Sequence, residues 1–369
     1  MRSKSEVFQE HFGVSTYYEA QQFSRPDKAG IPAPLSNFTK LNLPYVDPDH
    51  PDLPSVQEID EAKKTGMISN RYSYRDVWRV GNTIVKTDWT QHLVQEAEDL
   101  LWLRKHTNVR APKLYAIFGR KFRCPGDVIH TKYYMIMEVL EGETLSPREW
   151  SGLNVEQREN IHASMAEQLR LLRSVPSEGY YGRVNEQPYW PRLSLTTTDY
   201  ETPHGPFKTY EDLLTAMLAS AEVSAAWGVM IGPGCLSPDL YEPDQIEQLE
   251  VFKDKFRAFG GHEPKLTHID PGLQNVIIRP LDGETVQAAK HFEVSFIDWS
   301  CLGWYPAWMQ GTIFASCYTT AFDGPKPFKP RDEEAQRLVS RLEEGLGTDF
   351  PDVLAFFRIL SESCGYQIH

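Results

Sequence analysis

Thr267-His268-Ile269-Asp270-Pro271-Gly272-Leu273-Gln274-Asn275-Val276-Ile277-Ile278, followed further on by Phe296-Ile297-Asp298-Trp299, is the stretch on which the reading of this chain turns. It runs His-x-Asp, four residues, Asn, a β-branched run, and then a second Asp after hydrophobic residues. Each position suits one task in moving a phosphoryl group. Asp270 falls on a loop, where a carboxylate can take the proton of an attacking hydroxyl and aim its oxygen at a γ-phosphorus. Asn275, at the mouth of a strand over 276–278, offers a neutral amide oxygen to Mg2+. Asp298, at the end of a strand over 294–297, offers a charged one, and hard oxygens suit that ion. His268 is expected to brace the loop through backbone hydrogen bonds, because no second His or Cys stands nearby at ligand spacing. A plainer reading makes His268 and Asp270 ornaments of a β-turn signalled by Pro271-Gly272, with Asp298 a cap. The eight-residue pattern with its strand-ending Asp is more specific than that reading requires.

These residues resemble the catalytic loop of the aminoglycoside phosphotransferase and choline kinase group, commonly His-Gly-Asp-Leu-x-x-x-Asn followed by Ile-Asp-Trp. Ile269 stands where Gly is usual, Pro271 where Leu is usual and Leu273 where Pro is frequent. None of these removes a ligand or the base, although Ile269 and Pro271 stiffen the loop. From Ile297-Asp298-Trp299 to Gly303-Trp304-Tyr305-Pro306 the chain is similar to the large fungal branch of that family, with Ser300 in place of its frequent Glu. The resemblance covers about residues 67–320. It implies an α+β, two-lobed, protein-kinase-like fold with a small β-rich N-lobe, a larger mostly helical C-lobe, and ATP with Mg2+ between them. The corresponding division is an extended N-terminal arm over 1–66, an N-lobe over 67–137, and a C-lobe over 138–369 that carries the catalytic loop and the substrate-side helices.

A chain of 369 residues normally makes two or three structural units, and 41% hydrophobic with 24% charged is an ordinary globular balance. A net charge of −13 argues against sequence-independent binding of nucleic acid, which needs basic surface. It suits a cationic substrate and an acidic soluble surface equally. The five cysteines, Cys124, Cys235, Cys301, Cys317 and Cys364, are scattered, odd in number and without C-x-x-C spacing, which predicts a reduced, cytoplasmic protein. Residues 1–14 lack the continuous apolar region of a signal peptide, and no window is long enough in apolar residues to span a membrane.

Along the arm, Pro32, Pro34, Pro44, Pro48, Pro51 and Pro54 forbid a long helix over their range. Phe38, Leu41, Leu43 and Tyr45 are apolar enough for the arm to pack on the core. Residues 72–80 and 83–86 read as two strands around Gly81-Asn82, with Lys86 closing the second. In a kinase-like lobe a lysine there reaches the α- and β-phosphates and needs a Glu on the next helix to orient it. That helix is predicted over 91–106, where Leu93, Ala97, Leu100 and Leu103 make one stripe and Glu96 lies within it. A carboxylate aimed inward needs a cation, and Lys86 is available. Glu98 competes by position. The resemblance selects Glu96, because the family's Glu precedes a small residue and stands seven before the Leu of a Trp-Leu or similar pair, as Glu96, Ala97, Trp102 and Leu103 do here. Val109-Arg110-Ala111-Pro112-Lys113-Leu114-Tyr115 is similar to the family's strand entry after that helix. No G-x-G-x-x-G precedes Lys86, so phosphate cradling falls to the backbone of 69–72 or nearby.

An apolar strand over 133–137 leads into Glu138-Val139-Leu140-Glu141-Gly142-Glu143, which resembles the hinge between lobes. The resemblance gives Met137 the back of the adenine pocket, and gives Glu138 and Leu140 the backbone contacts to the nucleotide. An edge strand ending in a turn fits the same letters. Asn154 with Gln157 signals a capping box, and Ile161, Met165, Leu169 and Leu172 mark the buried face of a helix to about 173. The aromatic loops over 179–207 either clamp themselves to the core or stack on a ligand. The resemblance implies substrate-side helices over about 209–224 and 242–259, and the sequence itself predicts helices over 332–346 and 351–361, with an irregular aromatic run between Asp298 and Pro306.

The expected activity is ATP- and Mg2+-dependent transfer of the γ-phosphoryl group to a hydroxyl of a small molecule. Two rivals belong to other classes. A catalytically silent nucleotide-binding pseudokinase or scaffold would be favoured by loss of Asp270 or Asp298, and both are present. A protein kinase should show an Ala-Pro-Glu-type segment and a phosphorylatable loop after the metal Asp, where this chain has Gly303-Trp304-Tyr305-Pro306.

Overall fold

The computed structural model describes residues 1–23, 36, 39–64, 68, 76–123, 129–190, 195–198, 204–228, 237–283, 285–320 and 350–367. The phosphate-cradling stretch expected at 69–72 and the helix expected over 332–346 lie outside them.

The N-terminal arm is not extended throughout. It forms α1 (Lys4–Phe12), α2 (Tyr17–Phe23), a short strand β1 (Tyr45–Val46) and α3 (Val56–Ala62). Its prolines cluster between these pieces and exclude helix only there. Capping boxes, Ser3 with Glu6 and Ser55 with Glu58, start α1 and α3 by satisfying backbone donors that a short helix otherwise leaves open.

The small lobe follows from alternation. β2 (Asp76–Val80), β3 (Thr83–Asp88), β4 (Leu114–Arg123) and β5 (Ile129–Glu138) join β1 in an antiparallel sheet of order β1-β4-β5-β3-β2. Gly81 turns β2 into β3 with φ of 59°. Successive side chains on a strand face opposite ways. Val85, Ala116, Tyr134 and Ile136 therefore pack on Ile59 of α3, while Ile117, Met135 and Met137 pack with Leu93 and Ala97 of α4 (His92–His106). The arm thus supplies both an edge strand and the cover of one sheet face. Lys86 does not close β3: it sits mid-strand, opposite Val77 of β2 and Met135 of β5.

α5 (Pro147–Ser151) and α6 (Val155–Arg173) open the large lobe, and the Asn154–Gln157 capping box begins α6. β6 (Gly182–Arg183), α7 (Tyr210–Trp227), α8 (Pro243–Ala258), β7 (Pro264–Thr267), β8 (Val276–Pro280), β9 (Phe292–Phe296), β10 (Gly303–Pro306), α9 (Met309–Thr320) and α10 (Pro351–Cys364) follow. The run after Asp298 is not irregular to its end, because β10 pairs with both β6 and β7. β8 and β9 form a separate antiparallel pair. Among the described aromatics of 179–207, Tyr180, Tyr181 and Tyr189 clamp inward and are buried, and the Tyr189 hydroxyl donates to the Trp304 carbonyl at 2.6 Å. α1 packs on α7, with Phe8 and Phe12 edge-on to Trp227 at 5.5 and 5.2 Å between ring centroids.

The fold is α+β and two-lobed, a five-stranded antiparallel sheet with α4 followed by a larger, mostly helical part. One apolar core runs through both lobes, from Met135 and Leu93 to Leu266, Phe296 and Trp304. Among the described residues no helix is long and apolar enough to cross a membrane.

Candidate active site

Lys86 lies on the sheet face that meets α4, and burial leaves its ammonium in need of partners. Its Nζ donates to both Glu96 oxygens, at 2.9 and 2.8 Å, and to Asp298 Oδ1 at 3.2 Å. Lys86 and Glu96 are buried, whereas the Asp298 side chain keeps 30% of its exposure. One cation therefore bridges the small-lobe helix and the large-lobe segment after β9. Glu98 points elsewhere, accepting from Thr39 Oγ1 at 2.7 Å, the Lys40 N–H at 3.3 Å and Asn185 Nδ2 at 3.2 Å.

Asp298 takes left-handed backbone with φ of 56°, and Cys301 follows with φ of 74°. Such conformations cost non-glycine residues of order 1–3 kcal/mol and gather where a site demands a particular aim. Ser300 Oγ donates to Asp298 Oδ1 at 3.0 Å, the same oxygen that meets Lys86.

The loop entered from β7 is braced at His268. The Asp270 N–H donates to His268 Nδ1 at 3.1 Å, and His268 Nε2 meets the Ile297 carbonyl at 3.1 Å. Burial pushes the imidazole below its ordinary range, although Asp270 pulls the other way. The Trp299 ring stands edge-on to it at 4.5 Å, and Gln310 Nε2 donates to the His268 carbonyl at 3.2 Å. Asn275 Nδ2 donates to Asp270 Oδ2 at 2.8 Å and to the Asp270 carbonyl at 3.0 Å, and Gln274 Nε2 donates to Asp270 Oδ1 at 3.2 Å. With its amide nitrogen committed to Asp270, Asn275 has its amide oxygen left for a cation. Asn275 and Asp298 are tied through the backbone too, since the Ile297 N–H donates to the Asn275 carbonyl at 2.9 Å.

Met137, near the end of β5, is buried in the shared core. The Glu138 N–H donates to the Lys113 carbonyl at 2.9 Å, and its side chain accepts from the Lys113 N–H at 3.1 Å. Past Leu140, Gly142 takes φ of 116°, and a Cβ there would stand 2.6 Å from the Ile278 carbonyl oxygen. Its smallness lets Glu143 exchange two backbone bonds with Ile278, at 3.1 and 2.9 Å, fastening the segment after β5 to β8.

The structure thus joins Lys86, Glu96 and Asp298, and separately joins His268, Asp270 and Asn275 within one loop. The chain is similar to aminoglycoside phosphotransferases. A thermostable mutant of aminoglycoside phosphotransferase APH(4)-Ia superimposes with a TM-score of 0.48 at 14% identity, over 82% of this chain and 87% of that one. Amicoumacin kinase hAmiN, in complex with AMP-PNP, Ca2+ and Ami, gives 0.43 at 11% identity over 80% and 78%. A choline/ethanolamine kinase family protein from Mesorhizobium loti gives 0.38 at 14% over 85% and 89%. No protein-family profile and no curated protein sequence matches the chain.

Sequence reasoning missed Arg183, which is fully buried on β6. It donates to Asp99 Oδ1 at 2.7 Å and to the Gln95 carbonyl at 3.1 Å, and lies 3.7 Å from Glu98. Burial pushes the Asp99 carboxyl up to about 8 against the pull of Arg183. α4 is therefore buried far beyond the single expected stripe, with every residue from Leu93 to Leu100 inside. The signal was present as three carboxylates, Glu96, Glu98 and Asp99, within one turn of a helix that also carries an apolar stripe.

Proposed function

We propose that this protein is a kinase that uses ATP and Mg2+ to phosphorylate a hydroxyl group of a small molecule. The observation that carries this reading is the Lys86 ammonium held between Glu96 and Asp298. A lysine steadied by a helix carboxylate and facing a second, part-exposed carboxylate is suited to the α- and β-phosphates of a nucleotide whose metal the second carboxylate holds.

The donor set fits Mg2+. Asn275 and Asp298 would hold it through one neutral and one charged oxygen, the hard donors that this ion takes alongside phosphate and water. Bound MgATP supplies the transferable phosphoryl group and neutralises charge on it. Met137 would back the base, and the backbone of Leu140 and Glu138 would hold it, Glu138 through its carbonyl because its N–H already serves Lys113. Asp270, aimed by Asn275 and Gln274, takes the acceptor's proton. His268 keeps the Asp270 loop in place.

A small acceptor is favoured because β10 begins only five residues after Asp298 and Trp308 is buried behind it, which leaves little chain there for a peptide platform. The cytoplasmic location expected from cysteine usage belongs to the same reading. The test is a metabolite screen with γ-labelled ATP. A labelled small-molecule product that disappears in Asp270→Asn is expected. Robust transfer to casein or peptide libraries, lost in the same variant, would replace it with a protein kinase. MgATP binding without transfer to any acceptor or to water would make the protein a silent nucleotide binder.

A further inference from the structure

The three carboxylates in one turn of α4 go to three different parts of the molecule. Glu96 meets Lys86 on β3. Glu98 accepts from Thr39 of the arm and from Asn185. Asp99 meets Arg183 on β6, with both side chains fully buried. The sheet of Arg183 has the order β6-β10-β7, and its other two strands adjoin the proposed catalytic residues. β7 runs directly into His268, and β10 follows Asp298. The strands are close packed: a Cβ at Gly303 would stand 2.6 Å from the Gly182 carbonyl oxygen. Trp102 of α4 adds an edge-to-face contact with Trp304 of β10 at 6.2 Å.

We infer that Arg183 is a positioning residue for the lysine–glutamate pair, anchoring α4 to the strands that carry the catalytic loop and the metal-side Asp. The inference rests on the kinase reading above. A helix moves as a rigid rod, and Asp99 stands three residues, about 4.5 Å along the axis, from Glu96. Releasing Asp99 from Arg183 lets that turn shift away from β6, and Glu96 shifts with it. Hydrogen bonds of 2.8 and 2.9 Å to Lys86 do not survive a displacement of an ångström or more. Arg183 touches neither nucleotide nor acceptor in this account and acts only through α4.

The test uses the full chain, with MgATP as ligand and water as acceptor. Calorimetry gives MgATP affinity, and steady-state ATP hydrolysis gives kcat and KM well below the melting temperature of each variant. Arg183→Gln is expected to lose about tenfold in kcat/KM, the size of effect usual for coupled neighbours. Asp99→Ala, which removes the acceptor of Arg183, should lose in the same direction. Added to Glu96→Gln, either substitution should cost nothing further, because the pair it positions is already gone. A merely structural arginine would lower the melting temperature and leave these ATP parameters alone. A folded Arg183→Gln within twofold of the parent, or losses that multiply with Glu96→Gln, overturns the inference. If Arg183→Gln does not fold, Asp99→Ala decides on the same criteria. A parent that neither binds nor hydrolyses MgATP overturns the kinase reading and this inference together, whereas an active parent beside an unaffected variant overturns only the inference.

Discussion

The backbone N–H of Asp270 donates to Nδ1 of His268, an atom that can accept only while it carries no proton. The other nitrogen then holds the hydrogen that reaches the Ile297 carbonyl. Within this loop the imidazole therefore serves as a neutral two-ended strut. Substituting His268→Phe keeps a ring beside Trp299 but leaves the part-buried Asp270 N–H and Ile297 carbonyl without the imidazole, at a cost of up to about 1–3 kcal/mol each where water does not replace it. A lower melting temperature is expected, with ATP turnover falling more than MgATP affinity. Unchanged turnover in a folded His268→Phe would remove the strut from the catalytic account.

Lys86→Met and Glu96→Gln should not be additive. Once either partner is gone the other has little left to lose, and contacting residues couple by roughly 0.5–3 kcal/mol. The double-mutant cycle is read in kcat/KM for ATP hydrolysis. Full additivity would mean that the contact does not matter to turnover.

Asp298→Ala and Asp270→Asn should separate binding from chemistry. The first is expected to abolish the gain in ATP affinity that Mg2+ brings, measured by titration with and without the metal. The second should leave MgATP affinity nearly intact while turnover drops roughly 10²–10⁴-fold, the range for a positioned acid–base group. A metal effect that persists in Asp298→Ala would move the metal elsewhere.

Stability should fall on acidification partly because of His162. Burial depresses this imidazole to about 3, from an ordinary value of 6.5. Between those values the unfolded chain binds a proton that the folded chain refuses. The contribution is complete above 6.5 and is lost as pH falls through that value, at up to about 1.4 kcal/mol per pH unit. Urea unfolding above and below pH 6.5 should show a shallower loss in His162→Leu than in the parent. Parallel losses would reject the assignment.

The juxtapositions that were legible in the sequence are those set by short-range chain geometry. His268, Asp270 and Asn275 share one loop, so spacing brings them within reach, whereas Lys86 and Glu96 stand ten residues apart and choosing Glu96 over the competing Glu98 took the family resemblance. Arg183 stands 84 residues from Asp99, and nothing local marks it as the partner of a helix carboxylate. The arm was misjudged for a different reason. Its prolines are conspicuous, while Ser3 with Glu6 and Ser55 with Glu58 carry a helix-start signal that only a position-by-position search for capping boxes would raise. β10 was hidden because its partners, β6 and β7, are distant in sequence and its aromatics suit a buried loop equally well.

The helices of the arm have a consequence for how the molecule assembles. Phe8 and Phe12 find their partner in Trp227, and Ile59 finds its partners in strands that run as far as Ile136. During synthesis these apolar side chains leave the ribosome long before the surfaces that cover them exist. Contacts spanning such sequence distances form slowly, and the exposed apolar faces invite association in the meantime. The two halves of the arm therefore dock at different times, α3 once the chain has reached Ile136 and α1 only after it has reached Trp227.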